Sequence, residues 1–185
     1  MKFERKGIIL AGGKGTRLYP ITKSISKQIL PLYDKPLIYY PIATLMLAGI
    51  RDMLIITTPH DAESFKKLLG DGSNWGIKLN FIVQDEPKGL AHALLISEDY
   101  LANNPCALIL GDNMFHGNKL INLLKEVNKK DRSTIFAYPV SNPSDYGVIQ
   151  LDNEGYPIKI IEKPEKFISR YAITGLYFYD STAIN

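Results

Sequence analysis

A glycine-rich stretch near the N-terminus combines residue types that could bind an anion. The apolar residues 8–11 lead directly into Gly-Gly-Lys-Gly-Thr-Arg at residues 12–17. Glycine lets a backbone approach a ligand closely, and exposed backbone amides can bind anions. Arg17 could hold a phosphate through two hydrogen bonds, and Lys27 and Lys35 follow as further cations. The stretch favours a polyphosphate ligand, with a plain surface turn as an equal alternative.

Two common phosphate-binding motifs do not fit this stretch. Residues 13–18 lack the third glycine of the dinucleotide-binding fingerprint, and the spacing of the Walker A motif is absent as well. The kind of site therefore has to be inferred from other residues.

Two polar residues stand directly after apolar runs and could act on such a ligand. Asp112 closes the run "LILGD", where a carboxylate is a natural Mg²⁺ ligand in a phosphate site. A helix N-cap or turn aspartate is the alternative. Gln84 closes "FIVQ" and offers a donor and an acceptor together, which suits the edge of a pyrimidine. The residues alone favour an exposed strand-end glutamine.

Alternating strands and helices would position these residues. The patterns predict strands over residues 7–11, 53–58, 79–83, 107–110 and 134–140, and helices over 36–48, 62–69, 90–101 and 120–128, with Asp61 as an N-cap and Gly70 as a helix stop. This alternation favours an α/β fold with a mainly parallel, Rossmann-like sheet and helices on both faces. Ligands bind beyond the carboxyl ends of such strands, where the polar residues lie.

The pattern changes after residue 140. Short strands over residues 147–151 and 157–161 flank a glycine-containing turn, which predicts a β-hairpin, and another strand follows over 173–179. No internal repeat, low-complexity segment or linker divides the sequence, so a single domain over residues 1–185 is expected.

Composition excludes several function classes. The 185 residues are 45% hydrophobic and 22% charged, as expected of a globular protein, and the net charge of +3 is too small for a nucleic-acid binder. No apolar run is long enough to cross a bilayer. Cys106 is the only cysteine, so an internal disulfide framework is excluded. A lone thiol suits a reducing compartment, and the cytoplasm is therefore the expected location.

Residues 10–50 closely resemble the sugar-phosphate nucleotidyltransferases. The signature is Gly-Gly-x-Gly-Thr-Arg-Leu, followed by a lysine and a Lys-Pro pair, and every part is present. Further family motifs match in order along the chain: "LLGDGSNWG", "LILGDN", "SDYGVI", "EKP" and "TGLYFYD". The stretch "SKQILPLYDKPLIYYP" points to the branch that transfers thymidylyl groups.

The resemblance implies a reaction and a fold. Glucose 1-phosphate attacks the α-phosphorus of dTTP with the help of Mg²⁺, giving dTDP-glucose and pyrophosphate. The expected nucleotidyltransferase fold is C-terminally incomplete, since the family's second metal carboxylate belongs to a later segment. The family is typically a homo-oligomer, a tetramer, and the same assembly is expected here if the chain is full length. Alternatives are a related enzyme that uses UTP with a sugar 1-phosphate, and a catalytically impaired nucleotide-binding fragment.

The resemblance also assigns residue roles. Arg17, Lys163 and Asp112 are the expected catalytic residues, and Asp112 is the metal ligand. Nucleotide binding is expected of Leu10, Gly12, Gly13, Gly15, Thr16, Arg17, Lys27, Gln28, Gln84, Gly89 and Asp112. Sugar-phosphate binding is expected of Asn113, Tyr146, Gly147, Glu162, Lys163 and Ile173.

Within these sets, Gln84 and the Gly89 backbone would recognise thymine, and Arg17 would hold the departing pyrophosphate. Lys163 would hold the sugar phosphate and orient its attacking oxygen. His92 stands where the family usually has glutamine, a departure that could alter contacts near the nucleotide.

Overall fold

The chain forms two compact units. The computed structural model describes residues 4–13, 15–86, 88–130 and 132–183. The first unit comprises residues 1–133 and 178–185, and the second comprises residues 134–177. This division into compact units does not test the expectation of a single domain over residues 1–185, which stays a prediction.

The first unit is built on a parallel sheet. The strands of this unit are β1 (Lys6–Leu10), β2 (Pro31–Leu32), β3 (Lys35–Pro36), β4 (Asp52–Thr57), β5 (Lys78–Val83) and β6 (Cys106–Leu110). The order β5-β4-β1-β6 places β1 between β4 and β6, with each neighbouring pair parallel. Strands β2 and β3 form a separate antiparallel pair.

Both faces of this parallel sheet are covered. Residues 7–9 of β1, 53–57 of β4 and 106–109 of β6 are buried without interruption. Since successive side chains point to opposite faces of a strand, uninterrupted burial requires cover on both sides. Each fully buried Ile or Leu in these runs contributes about 1.5–3 kcal/mol to stability.

The helices of the first unit are α1 (Tyr39–Leu47), α2 (Ala62–Leu69), α3 (Gly89–Leu95), α4 (Glu98–Leu101) and α5 (Leu120–Asn128). The predicted bounds of α2 and α5 are confirmed, and Gly70 ends α2 with a positive φ of 58°. Asp61 occupies the N-cap position of α2, but its side chain makes no capping hydrogen bond. Its carboxylate instead accepts a hydrogen bond from the Thr58 hydroxyl.

Two predicted helices differ from the structure. The helix expected over residues 36–48 begins only at Tyr39, because Lys35 and Pro36 pair with β2. The helix expected over 90–101 is broken between α3 and α4. At the break the buried Ser97 donates its hydroxyl hydrogen to the Ala93 carbonyl at 2.6 Å, a competing bond that bends helices.

The second unit is built from antiparallel pairs. Its strands are β7 (Thr134–Pro139), β8 (Gly147–Leu151), β9 (Pro157–Glu162) and β10 (Tyr171–Tyr179), whose last two residues belong to the first unit. Strand β8 pairs antiparallel with β9 and with β10, and β7 pairs with β10.

The predicted hairpin is confirmed. The Asp152 carboxylate accepts hydrogen bonds from the backbone N–H groups of Glu154 and Tyr156 at 2.9 and 2.8 Å, and Gly155 supplies a φ of 87°. Parallel and antiparallel strands with intervening helices confirm the mixed, mainly parallel α/β fold. No helix in the described part of the chain is both long and apolar enough to cross a membrane.

Candidate active site

The carboxyl ends of the parallel strands bring polar residues into one row. Leu10 pairs with both Ile56 and Leu110, and Ile56 pairs with Ile82. Because these partners are in register, the residues two positions further along each strand also lie at the same edge of the sheet: Gly12, Thr58, Gln84 and Asp112. The sheet register therefore brings together residues that are 100 positions apart in the sequence.

Glycines allow close packing at this edge. A side chain at Gly12 would begin 3.7 Å from the Gln84 Oε1 atom, so the Gly12 backbone lies directly against that glutamine. A side chain at Gly111 would begin 3.0 Å from the Leu10 carbonyl oxygen, a contact that only glycine avoids. Gly15 has a φ of 61°, and its carbonyl accepts a hydrogen bond from the Thr22 hydroxyl at 2.7 Å.

Gln28 lies beneath the glycine-rich loop. Its side chain is only 2% exposed, and its Oε1 accepts a hydrogen bond from the Ser26 hydroxyl at 2.5 Å. Its Nε2 lies 4.0 Å from the point where a side chain at Gly13 would begin. The amide is therefore held in place with its nitrogen turned towards the loop.

Lys27 and Asp112 form an ion pair. Their side chains are 27% and 30% exposed, so the pair remains accessible to solvent. The pair joins a cation from the segment after the glycine-rich loop to the carboxylate after β6. Phosphate oxygens could replace the carboxylate as partner of the lysine, and a cation could replace the lysine as partner of the carboxylate.

Gln84 is held by a partly buried contact with a histidine. Its side chain is 4% exposed, and its Nε2 lies 2.6 Å from Nδ1 of His92, which is on α3. The expectation of an exposed strand-end glutamine is thus wrong, since the side chain is buried and hydrogen-bonded.

A cleft of about 310 Å³ opens beside the glycine-rich loop. Its lining residues are Gly12, Gly13, Tyr19, Thr22, Lys23, Ile25, Ser26, Thr58, His60, Asp61 and Asp85. On one side the Asp61 carboxylate accepts a hydrogen bond from Thr58 at 2.8 Å and lies 3.0 Å from Nδ1 of His60. The sequence analysis did not predict that Thr58, His60 and Asp61 line this cleft. A signal was present, because Thr58 directly follows β4 just as Gln84 directly follows β5.

The remaining predicted residues of the first unit are more open. Arg17 lies in a 3-10 helix, Thr16–Leu18, is exposed, and makes no ion pair with another described residue. Gly89 opens α3 with a φ of 86° and is exposed. Asn113 follows Asp112, and its backbone N–H donates to the Leu110 carbonyl at 3.2 Å.

In the second unit, several residues predicted to bind the sugar phosphate lie at the open end of the hairpin. Gly147 pairs with Glu162, and a side chain at Gly147 would begin 2.8 Å from the Glu162 carboxylate and 3.6 Å from Ile173. The absence of a side chain at Gly147 is what lets Glu162 lie across the strand. The pKa of Tyr177 is raised, mainly by burial and to a smaller extent by the negative charge of Glu162.

Lys163 adopts an unusual backbone conformation at the same place. Its φ is 42°, in the left-handed region that disfavours residues with a side chain. Its backbone N–H donates to the Tyr146 carbonyl at 3.0 Å, and both side chains are exposed. Such a conformation costs of order 1–3 kcal/mol, and residues that adopt it cluster at functional sites.

The family model of the nucleotidyl transferases matches residues 6–185, nearly the whole chain. The chain belongs to the nucleotidyl transferase family. The fold and the register of its strand ends agree with that membership.

Named relatives give a finer comparison for this nucleotidyl transferase. It is 56% identical over 181 residues to glucose-1-phosphate thymidylyltransferase of Xanthomonas campestris, and 54% identical over 179 residues to the enzyme of that name from Mycobacterium tuberculosis. Each alignment covers 97% of this chain. The chain spans 61–62% of the length of these relatives.

Solved structures of nucleotidyltransferases also resemble this chain. A candidate glucose-1-phosphate thymidylyltransferase from Bacillus anthracis, crystallised with sucrose, superposes with a TM-score of 0.88 at 39% identity, covering 96% of this chain and 72% of that one. A UDP-glucose pyrophosphorylase complexed with UDP-glucose superposes with a TM-score of 0.80 at 29% identity, covering 98% of this chain and 78% of that one.

Asp112, after β6, is the carboxylate that could hold a Mg²⁺ ion beside a phosphate ligand. No group of three or more His, Cys, Asp or Glu residues that could hold a metal occurs among the residues that the structure describes. Mg²⁺ is commonly bound by one or two carboxylates together with substrate phosphates and water. Asp112, partly exposed at a strand end, fits that mode of binding, in which phosphate supplies further ligands.

Proposed function

We propose that this protein transfers the thymidylyl group of dTTP to glucose 1-phosphate and releases pyrophosphate. The observation that carries the proposal is the row of Gly12, Gln84 and Asp112 at the registered strand ends, in a member of the nucleotidyl transferase family. At one edge of the sheet, this row supplies a backbone surface, an amide with both a donor and an acceptor, and a carboxylate. The names of the Xanthomonas and Mycobacterium relatives supply the substrates.

The proposed reaction is a direct displacement at phosphorus. An oxygen of glucose 1-phosphate forms a bond to the α-phosphorus of dTTP while the bond to the departing pyrophosphate breaks. Such a step depends on positioning and on neutralising negative charge more than on a side-chain nucleophile. The buried Cys106 is unsuited to act as a nucleophile, because burial raises the pKa of its thiol to about 12.

On the nucleotide side, the Gly12 backbone and the buried amide of Gln84 bind the nucleoside. Arg17, exposed and without an ion pair to another described residue, binds the departing pyrophosphate. Lys27 exchanges Asp112 for phosphate oxygens when dTTP binds. Asp112 would then hold Mg²⁺, which neutralises charge on the phosphates.

On the sugar-phosphate side, residues of the second unit act. The Glu162 carboxylate accepts hydrogen bonds from sugar hydroxyls, and the Gly147 amide contacts the sugar. Lys163 pairs with the phosphate and orients its attacking oxygen. The left-handed backbone of Lys163 supports a functional constraint at this residue.

A related activity with UTP is the second candidate. The structural likeness to a UDP-glucose pyrophosphorylase favours it. Uracil differs from thymine by one methyl group, and a methyl-sized difference gives about 10–200-fold discrimination at most.

Pyrophosphate release from the purified chain tests the proposal. The chain is incubated with Mg²⁺ and glucose 1-phosphate, and dTTP, UTP, dCTP and ATP are compared, with EDTA-treated samples as controls. We expect Mg²⁺-dependent release with the highest kcat/KM for dTTP. A higher kcat/KM for UTP would favour the second candidate, and dTTP binding without any release would contradict the proposed activity.

Location and assembly belong to the same proposal. A single buried thiol fits a reducing compartment, which supports the cytoplasm. A homo-oligomer is the proposed assembly of the full-length protein. Light scattering on the full-length protein would measure its mass, and a monomeric mass would contradict the assembly.

A further inference from the structure

The ion pair between Lys27 and Asp112 joins two parts of the proposed nucleotide site. Lys27 begins beneath the glycine-rich loop, because a side chain at Gly15 would begin 3.2 Å from the Cβ atom of Lys27. Asp112 lies two positions after the end of β6. The lysine side chain therefore links the loop to the carboxylate, and both are proposed to act on the triphosphate.

The backbone at Lys27 is held in place, whereas the end of its side chain is open to solvent. The residues on either side, Ser26 and Gln28, are only 5% and 2% exposed, and the Lys27 carbonyl accepts a hydrogen bond from the Leu30 N–H at 3.2 Å. The Lys27 side chain itself is 27% exposed. Because lysine has a flexible four-carbon stem, its ammonium can leave Asp112 without any movement of the backbone.

The charges of the pair decide which form of a triphosphate fits. A metal-free triphosphate that takes Lys27 as its partner leaves the Asp112 carboxylate facing phosphate oxygens of the same sign, which repel it. Opening a partly exposed ion pair costs little, so most of the penalty comes from the carboxylate that is left unpaired. A triphosphate that carries Mg²⁺ offers both residues an opposite charge, phosphate oxygens to the lysine and the cation to the carboxylate.

We propose that the Lys27–Asp112 pair makes this site selective for a nucleoside triphosphate complexed with a divalent cation, and that it disfavours the metal-free nucleotide already at the binding step. The charge of Asp112 is balanced by Lys27 in the free protein and by the cation in the complex. This inference rests on the nucleotide-binding role proposed above for both residues. It goes beyond a need for Mg²⁺ in the chemical step, since the selection takes place before any bond breaks.

Two variants should change this selectivity in opposite directions. Asp112→Asn removes the repelling charge and releases the lysine, so metal-free dTTP should bind about tenfold more tightly than it does to the wild type. Lys27→Met keeps the apolar stem but leaves Asp112 without its cation, so metal-free dTTP should bind more weakly. A merely structural role would instead change the affinities for the metal-free and the Mg²⁺-bound nucleotide together.

The test measures the dissociation constant of dTTP by calorimetry, in Mg²⁺ and in EDTA at equal ionic strength, for the wild type, Asp112→Asn and Lys27→Met. The ratio of the constant in EDTA to that in Mg²⁺ reports the selectivity without depending on turnover. We expect this ratio to fall about tenfold in Asp112→Asn and to rise in Lys27→Met. If Lys27→Met binds dTTP in neither solution, the ratio of Asp112→Asn decides alone.

Control variants remove the same charges at exposed positions on other elements. Asp99→Asn on α4 and Lys67→Met on α2 should keep the wild-type ratio. An equal fall of the ratio in Asp99→Asn would assign the effect to net charge and overturn the role of the pair.

The remaining outcomes separate this inference from the proposed function. If the wild type binds dTTP in Mg²⁺ but Asp112→Asn binds metal-free dTTP no more tightly than the wild type, the pair does not select the metal complex, and the proposed function stands. A lower ratio in Lys27→Met would overturn the inference in the same way. If the wild type binds dTTP in neither solution, the proposed function fails, and the inference fails with it.

Discussion

Lys27 and Asp112, which are proposed to bind the triphosphate and its cation, are paired with each other in the structure. A partly exposed ion pair contributes about 0–1 kcal/mol to stability, so little is lost when it opens. A triphosphate with its cation offers each residue an opposite charge. The same two residues can therefore be paired with each other in the free protein and with ligands in the complex.

Asp112→Asn should abolish most Mg²⁺-dependent turnover while leaving the fold intact. The amide keeps the size of the side chain but removes the charge that would hold the ion, and a loss of about 10²–10³-fold in kcat is expected. Pyrophosphate release at increasing Mg²⁺ concentrations measures it. Asp99→Asn, an exposed aspartate on α4, is the control, and similar kcat values for both variants would remove Asp112 from the metal site.

Arg17→Ala and Lys163→Ala should affect different substrates. Arg17→Ala should mainly impair chemistry on dTTP, and Lys163→Ala should mainly raise the KM for glucose 1-phosphate, because the residues are proposed to hold different phosphates. Each charged contact is worth about 2–4 kcal/mol in the transition state, a loss of about 10²–10³-fold in kcat/KM.

Steady-state kinetics with each substrate varied in turn would separate the two effects. Lys159→Ala on β9 and Lys67→Ala on α2 remove exposed lysines away from the proposed contacts and serve as controls. If both Arg17→Ala and Lys163→Ala impaired only the use of dTTP, the sugar-phosphate role of Lys163 would be wrong.

At the scale of elements, the β8–β9 hairpin contains two glycines with different surroundings. Gly155 is in the turn with a φ of 87°, and a side chain there would meet no atom within 4 Å. Gly147 is at the open end, where a side chain would begin 2.8 Å from the Glu162 carboxylate. The first glycine is favoured by its backbone conformation, and the second leaves room for the Glu162 side chain that lies across it.

Gly147→Ala and Gly155→Ala should therefore have opposite signatures. Gly147→Ala should displace Glu162 and raise the KM for glucose 1-phosphate by about tenfold, the value of one hydrogen bond to a charged group, with little change in Tm. Gly155→Ala should lower stability by about 1 kcal/mol through its positive φ, with unchanged kinetics. Thermal unfolding and kinetics of both variants check this, and a Gly147→Ala variant with the wild-type KM would show that Glu162 does not need its present position.

At the scale of the whole molecule, groups far from the site contribute to the pH dependence of stability. Cys106 on β6 is buried, and burial raises the pKa of its thiol from the ordinary value of 9.0 to about 12. Burial likewise raises the pKa of Tyr100, whose hydroxyl donates to the Asp52 carboxylate at 3.1 Å. Both groups are neutral in the folded protein at pH values where the unfolded chain begins to lose their protons.

The free energy of unfolding should therefore fall as pH rises above 9. Between pH 9 and about 12 the unfolded thiol of Cys106 is ionised while the folded thiol keeps its proton, so this group contributes a slope of about −1.4 kcal/mol per pH unit. Urea unfolding at several pH values measures the slope. Cys106→Ala should remove this contribution above pH 9 and leave the slope between pH 6 and 7.5 unchanged. Equal slopes for wild type and variant above pH 9 would contradict it.

Local patterns in the sequence sufficed for most elements. The apolar runs of β1, β4, β5 and β6 and the bounds of α2 and α5 follow from strand and helix periodicity, which depends on residues close in sequence. The hairpin turn likewise follows from Asp152 and Gly155. The sequence also indicated most of the candidate site residues, because the glycine-rich loop and the strand-end positions of Gln84 and Asp112 are local features.

Only the tertiary structure decided which of these residues touch. The break between α3 and α4 depends on Ser97 being buried, and the pairs Lys27–Asp112 and Gln84–His92 depend on strand register and on where α3 packs. Gly147 needs no side chain because Glu162 lies across it from the paired strand. Such contacts join residues distant in sequence, and they form only when burial of the apolar strands fixes the register, so no local pattern could reveal them.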